Sequence, residues 1–290
     1  MISQTLKLIR IHHWVKNIAI FLPVFFSGQF LEIFENGNIY QLLILFAAFC
    51  FASSIIYIIN DSIDVEKDKL HPVKKYRPIA SGFFSKKQAL TIAIFLLIIL
   101  IILLIFLGDS SWFVIAYFIL NILYSFKLKN IAIVDVTSVS LGFLLRILAG
   151  GFVVGVVVSQ WMTIIVFLLS MSIAFAKRRD DLTVTTDGTV LRKSQSGYSL
   201  AFIDIAESIC FSITLIAYIM YSISTEVIER LGTDKLYTTS LFVFIGIMRY
   251  IQISVVENKS GSPIKILAKD TFLQIVLVCW ILLFTYFIYL

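Results

Sequence analysis

The chain has 290 residues, of which 59% are hydrophobic and 14% charged, with a formal net charge of +6. A water-soluble domain carries about 25% charged residues, so a mean hydropathy of +0.96 excludes one. The positive balance reads as basic cytoplasmic loops beside anionic lipid, and no nucleic-acid partner is expected.

The N-terminal stretch MISQTLKLIRIHHWVKN has no cleavable signal pattern, so the first apolar run is expected to stay as a spanning helix. A helix needs ~20 apolar residues to cross the bilayer core. By that ruler the chain is an all-α, polytopic membrane protein of nine spans: 14–34, 40–60, 88–107, 111–126, 133–158, 161–177, 199–223, 237–256 and 271–290. Trp14, Trp112, Trp161 and Tyr237 fall near span ends, where interfacial aromatics gather. Cys50, Cys210 and Cys279 lie inside apolar runs without C-x-x-C spacing and read as buried hydrophobes.

With the N-terminus inside, the inner segments hold twenty of the 24 lysines and arginines. Arg230 and Lys235 lie outside, while Arg146 and Arg249 fall within spans. This asymmetry predicts a cytoplasmic N-terminus and, across an odd number of spans, an external C-terminus. The inner loops 61–87 and 178–198 are the long ones, and four spans separate them. That spacing hints at two four-helix halves. The loops are expected to form a polar cap on a single integral membrane domain, 1–290.

The second span ends in Asn60-Asp61-Ser62-Ile63-Asp64-Val65-Glu66-Lys67-Asp68. Asp61, Asp64 and Asp68 follow i, i+3, i+7 and share one helix face. Three like charges there repel, and a hard divalent cation resolves the repulsion. Mg²⁺ is suited to it, taking one or two carboxylates plus substrate phosphate oxygens and waters. The plain alternative is a solvated acidic helix end. Against it, four of the chain's 18 acidic residues fall within these nine positions.

The loop His71-Pro72-Val73-Lys74-Lys75-Tyr76-Arg77-Pro78-Ile79-Ala80-Ser81-Gly82 comes next. Arg77 offers a bidentate fork to phosphate, and Lys74 and Lys75 offer point charges; positive-inside topology alone would also explain them. Lys16 and Asn17 begin span one, where a phosphate or lipid headgroup would be met. Arg146 lies mid-span, where a charge costs about 3 kcal/mol, so it faces a cavity, a ligand or a structural partner. Asp135, near the inner end of the same span, is too far along to pair locally with it. His12, His13 and His71 show no metal-ligand spacing, and no P-loop, nucleophile elbow or Ser/His/Asp arrangement is present.

The run N-D-x-x-D-x-x-x-D, then H-P-x-K-x-x-R-P-I-A-S-G, resembles the first signature of the UbiA superfamily of intramembrane prenyltransferases, whose architecture is also nine spans. Other segments resemble its branch of decaprenyl-phosphate phosphoribosyltransferases. These are His13-Trp14-Val15-Lys16-Asn17, Tyr124-Ser125-Phe126-Lys127-Leu128-Lys129 and Asp135 with Gly142-Phe143-Leu144-Leu145-Arg146-Ile147-Leu148-Ala149-Gly150. Ala176-Lys177-Arg178-Arg179-Asp180-Asp181-Leu182 and Arg249-Tyr250 with Ser262-Pro263 complete the set.

The resemblance implies an enzyme of the bacterial inner membrane that contributes to cell wall biogenesis. It would move 5-phosphoribose from phosphoribosyl pyrophosphate to a polyprenyl phosphate at the cytoplasmic face, with Mg²⁺, releasing pyrophosphate. Asp61, Asp64 and Asp68 would be the metal ligands. Lys16, Asn17, Asn60, Lys74, Arg77, Tyr124, Lys127, Lys129, Arg146, Lys177 and Arg178 would hold substrate. One departure stands out: the second D-x-x-x-D motif of quinone-type prenyltransferases is replaced by Lys177-Arg178-Arg179-Asp180-Asp181. A basic second loop suits a donor with an additional phosphate, as phosphoribosyl pyrophosphate has on C5. The alternatives are prenyl transfer to an aromatic acceptor, which would want the second motif, and an anionic-lipid transporter, which would place its polar site near the midplane. Homo-oligomerisation is left open.

Overall fold

All regular elements among the described residues are helical, as backbone in lipid requires when it must satisfy its own hydrogen bonds. The computed structural model describes residues 2–29, 33, 38–70, 73–184, 193–258 and 263–289. His71 and Pro72 of the first loop motif, the stretch 185–192 of the second long loop, Lys259 and Ser262 lie outside the described residues.

In chain order the elements begin with α1 (Ile2–Leu8), a 3-10 helix (Ile11–Phe21), α2 (Leu22–Ser27), α3 (Asn38–Ile63) and α4 (Val65–Leu70). Next come α5 (Lys86–Leu107), α6 (Ser111–Phe126), α7 (Val134–Val154) and α8 (Gln160–Val184). Last are α9 (Leu200–Ile223), α10 (Thr225–Leu231), α11 (Ser240–Ile251), α12 (Pro263–Lys269) and α13 (Thr271–Tyr289). Local chemistry sets several ends. Ser85 and Gln88 form a capping box at the start of α5. Gly108, at φ 53°, separates α5 from α6. The Ser199 hydroxyl accepts the Phe202 N–H at the start of α9.

Seven helical runs are long and apolar enough to cross a membrane, among the described residues. The nine predicted spans are therefore not confirmed as a count, and the difference lies in two places. Lys86–Phe126 forms one run by length but holds two predicted spans, parted at Gly108–Ser110. The first predicted span coincides with the 11-residue 3-10 helix and the 6-residue α2, which stops at Gly28 with φ 79°.

The chain divides into two compact units: residues 1–127 with 145–157, and 128–144 with 158–290. The first is organised by α3, which packs along α5, the 3-10 helix and α6, and buries Leu42, Leu45, Phe49 and Ile58. Gly150 of α7 lies against the Ile20 backbone so closely that a Cβ there would sit 2.0 Å from the carbonyl oxygen, which only glycine permits. In the second unit α8 and α9 pack along each other, and α11 packs on α13. Its cores include Phe175, Ile203, Phe211 and Leu273.

Candidate active site

The buried stripe of α3 runs through Leu42, Leu45, Phe49, Ala52 and Ile56 before the helix turns polar at Asn60. The helix stops at Ile63 and α4 resumes at Val65. Across that junction the Asp64 N–H donates to the Asn60 carbonyl at 2.9 Å, and the Asp68 N–H to the Asp64 carbonyl at 2.9 Å. Helical bonding thus carries through and keeps the three aspartates in register. Asp61 and Asp68 are buried, while Asn60 and Asp64 are half-buried.

Arginines hold both buried carboxylates. Arg10 Nη2 donates to Asp61 Oδ1 at 2.6 Å and Oδ2 at 2.8 Å. Arg77 Nη1 donates to Asp61 Oδ1 at 3.1 Å and to Asp68 Oδ2 at 2.5 Å. The Arg10 guanidinium also lies 4.6 Å over the ring of Tyr57, one turn before Asp61 on the same helix face.

No group of three or more His, Cys, Asp or Glu side chains is gathered to hold a metal ion, among the described residues. The structure brings two carboxylates, Asp61 and Asp68, to one cationic nitrogen, in place of a preassembled set of three. That convergence is the feature that fits Mg²⁺, which needs only one or two carboxylates when phosphate oxygens and water complete its shell.

A second group of expected site residues surrounds the same helix. Arg146 Nε donates to Asn17 Oδ1 at 2.7 Å and its Nη2 to the Tyr117 hydroxyl at 2.9 Å. Its guanidinium lies 4.4 Å from the Tyr117 ring centroid and 5.6 Å from that of Phe49. Asn17 in turn donates to Cys50 Sγ at 3.1 Å. Lys16 is within electrostatic reach of Arg146, Arg10 and Tyr124, and Tyr57 within reach of Arg10, Arg146, Asp61 and Tyr124. In the first unit Arg146 and Asn17 are thus bonded directly, and Arg10 joins Asp61 to the Tyr57 ring, with Lys16 and Tyr124 within electrostatic reach of the group. Lys127 is exposed at the end of α6, and Lys74 is half-buried in the turn Lys74–Tyr76.

In the second unit Asp135, fully buried at the start of α7, anchors its own network. It accepts Arg178 Nε at 2.7 Å, the Tyr198 hydroxyl at 2.6 Å and the Val136 N–H at 2.9 Å. Tyr198 in turn accepts the N–H of Ile133, a β-branched residue at φ 68°, at 2.6 Å. Burial and then the Asp135 carboxylate push the Tyr198 phenol well above its ordinary value. Arg178 also donates to Asp181 at 3.0 Å. Arg179 binds Asp204 at 2.8 Å and the Ser254 carbonyl at 3.0 Å, satisfying backbone at the end of the Gln252–Val256 π-turn. Lys177 is exposed, and Lys129 is half-buried in the turn Leu128–Asn130.

Sequence reasoning counted Arg10 only as a cytoplasmic charge and passed over Tyr57, Tyr117 and Tyr198. Tyr57 had a signal: it extends the Asp61–Asp64–Asp68 face backward by four residues. Arg10 had none, because its partner is 51 residues away.

The UbiA prenyltransferase family model matches residues 20–276. A decaprenyl-phosphate phosphoribosyltransferase of Mycolicibacterium smegmatis is 30% identical over 290 residues, covering 97% of this chain and 91% of that protein. Its counterpart in Corynebacterium glutamicum is 29% identical over 283 residues, covering 95% of this chain and 84% of that one. Among solved structures, a UbiA homologue from Archaeoglobus fulgidus bound to GPP and Mg²⁺ superposes with a TM-score of 0.71 at 18% identity. The match covers 99% of this chain and 100% of that one, and it shows a shared fold. The chain is an integral membrane transferase and belongs to the UbiA prenyltransferase family.

Proposed function

We propose that this protein transfers 5-phosphoribose from phosphoribosyl pyrophosphate to a polyprenyl phosphate, releasing pyrophosphate in a Mg²⁺-dependent reaction at the cytoplasmic face. The observation that carries the reading is the convergence of Asp61 and Asp68 on one cationic nitrogen. The names of the relatives that span nearly the whole chain supply the substrates. The basic inner loops support a cytoplasmic N-terminus and an external C-terminus.

Asp61 and Asp68, with Asp64 beside them, would hold Mg²⁺. When bound, the ion offsets charge on the leaving pyrophosphate. The C1–O bond to pyrophosphate breaks with its electron pair on the leaving group, and a C1–O bond to the lipid phosphate forms. A phosphate monoester has its second pKa at about 6, so at neutral pH the nucleophile is already mostly dianionic and needs no general base. Lys16 and Arg146, with the neutral Asn17 between them, would meet one phosphate-bearing substrate, with Tyr124 and Lys127 at the end of α6. Lys74 and Lys177 offer further point charges. Arg178 bonds Asp135 and Asp181 near the end of α8.

Ligand binding in detergent tests the donor. With Mg²⁺ present, phosphoribosyl pyrophosphate should bind more tightly than geranyl diphosphate. Equal or reversed preference would favour the aromatic prenyltransferase.

A further inference from the structure

We propose that Glu207, Ser254 and Tyr250 form a site for one monovalent cation, sodium or potassium, buried within the second unit. Asp204, Glu207 and Phe211 follow one face of α9 at i, i+3, i+7. Glu207 lies about 10 Å along the helix from its start, inside the apolar run, and is 1% exposed. Its Oε2 accepts the Ser254 hydroxyl at 3.2 Å, and its Oε1 has no hydrogen-bond partner among the described residues. A carboxylate in that setting needs a counter-charge. Arg179 is within its electrostatic reach but is already taken up. Its Nε goes to Asp204 at 2.8 Å, and its Nη1 to the Ser254 carbonyl at 3.0 Å and to the Asn258 side-chain oxygen. The charges of Arg179 and Asp204 cancel, so Glu207 leaves the group with a net negative charge.

Two further features point to a bound ion. The Tyr250 hydroxyl is also without a hydrogen-bond partner among the described residues, on a side chain 8% exposed and within electrostatic reach of Glu207. A proton on Glu207 would remove the charge but add a second donor without an acceptor. A cation draws on lone pairs of Oε1 and the phenol together, and Ser254 Oγ keeps lone pairs for it while donating to Oε2. The other feature is the π-turn Gln252–Val256, closed by the Glu257 N–H on the Gln252 carbonyl at 3.1 Å, which brings Ser254 to the carboxylate. Such breaks in spanning helices gather at functional sites, sodium sites among them. The single carboxylate balances one positive charge, which suits a monovalent ion. Half-buried Asp204, one turn nearer the start of α9, gives the entry side.

The test is thermal unfolding of the full chain in detergent with EDTA, in sodium, potassium or N-methylglucamine chloride at one ionic strength. The wild-type midpoint should rise saturably with sodium or potassium, by roughly 3 °C at ten times the Kd, and should not rise with the organic cation. Glu207→Gln keeps the side chain's size and an acceptor for Ser254, and its midpoint should be the same in all three salts. Should that variant fail to fold, Tyr250→Phe removes one oxygen and should raise the Kd for the ion at least fivefold. Equal wild-type midpoints in the three salts, a full response in Glu207→Gln, or an unchanged Kd in Tyr250→Phe overturns the proposal. The readout is stability in the absence of substrate and divalent metal, so it stands apart from which group the enzyme transfers.

Discussion

Asp61 and Asp135 are both buried aspartates paired with arginine, yet their surroundings differ in the exposure of the arginines and in the partners around each carboxylate. Around Asp61 the arginines are partly exposed, at 13% and 24%, and each uses a single nitrogen. Around Asp135 the arginine is 4% exposed and reaches two carboxylates, while a tyrosine hydroxyl and a backbone N–H both donate to the other Asp135 oxygen. A carboxylate with spare partners beside it can exchange them for a ligand. One whose partners are sealed in can only be broken. Burying two charges is offset only when good geometry and further hydrogen bonds satisfy them, and Asp135 receives three.

The largest contrast is expected in turnover. Asp61→Asn or Asp64→Asn should lower transfer by roughly a hundredfold or more, the scale seen when one preorganised electrostatic group is lost. Both variants should still insert and purify, and rates near wild type would remove the acidic face from the reaction. In the second unit the effect should fall on stability. Asp135→Ala leaves Arg178 buried without its main partner, which costs about 3–5 kcal/mol. Tyr198→Phe removes one hydroxyl from the same network and should cost about 1 kcal/mol. Thermal midpoints in detergent distinguish the two units. A wild-type midpoint in Asp135→Ala would mean the network is not structural.

A third arginine–aspartate pair gives the smallest effect. Asp270 accepts Arg249 Nε at 3.1 Å and Nη2 at 2.5 Å, and the Leu273 N–H at 2.8 Å. The Arg249 guanidinium is the main reason its carboxyl titrates below the ordinary value. A carboxyl lowered by folding contributes stability above its unfolded value of about 3.9 and loses it as pH falls through the folded one. Asp270→Asn should therefore lower the thermal midpoint slightly at pH 7 and not at all in strong acid. A loss that persists in strong acid would mean the ion pair is not its source.

How much of this was legible follows from the range of each interaction. The acidic face could be read because i, i+3, i+7 is local geometry, and the α3–α4 junction preserves it. The break between α5 and α6 could be read from Gly108-Asp109-Ser110, a polar interruption in aliphatic sequence. The first span could not be read in detail, since aliphatic composition does not distinguish 3-10 winding at Ile11–Phe21 from α-helix. The partners of Arg10 and Arg178 were hidden for another reason. They lie 51 and 43 residues away, and no local pattern encodes such pairings.

The central claim is that the Asp61 face serves phosphoribosyl transfer to a lipid phosphate. Its most direct test incubates the purified protein with Mg²⁺, polyprenyl phosphate and ribose-labelled phosphoribosyl pyrophosphate, and follows label into a lipid extract. Label should enter the lipid in wild type, in step with pyrophosphate release, and should fail to do so with EDTA or in Asp61→Asn. No lipid label, alongside prenyl transfer from a prenyl diphosphate to an aromatic acid, would contradict it.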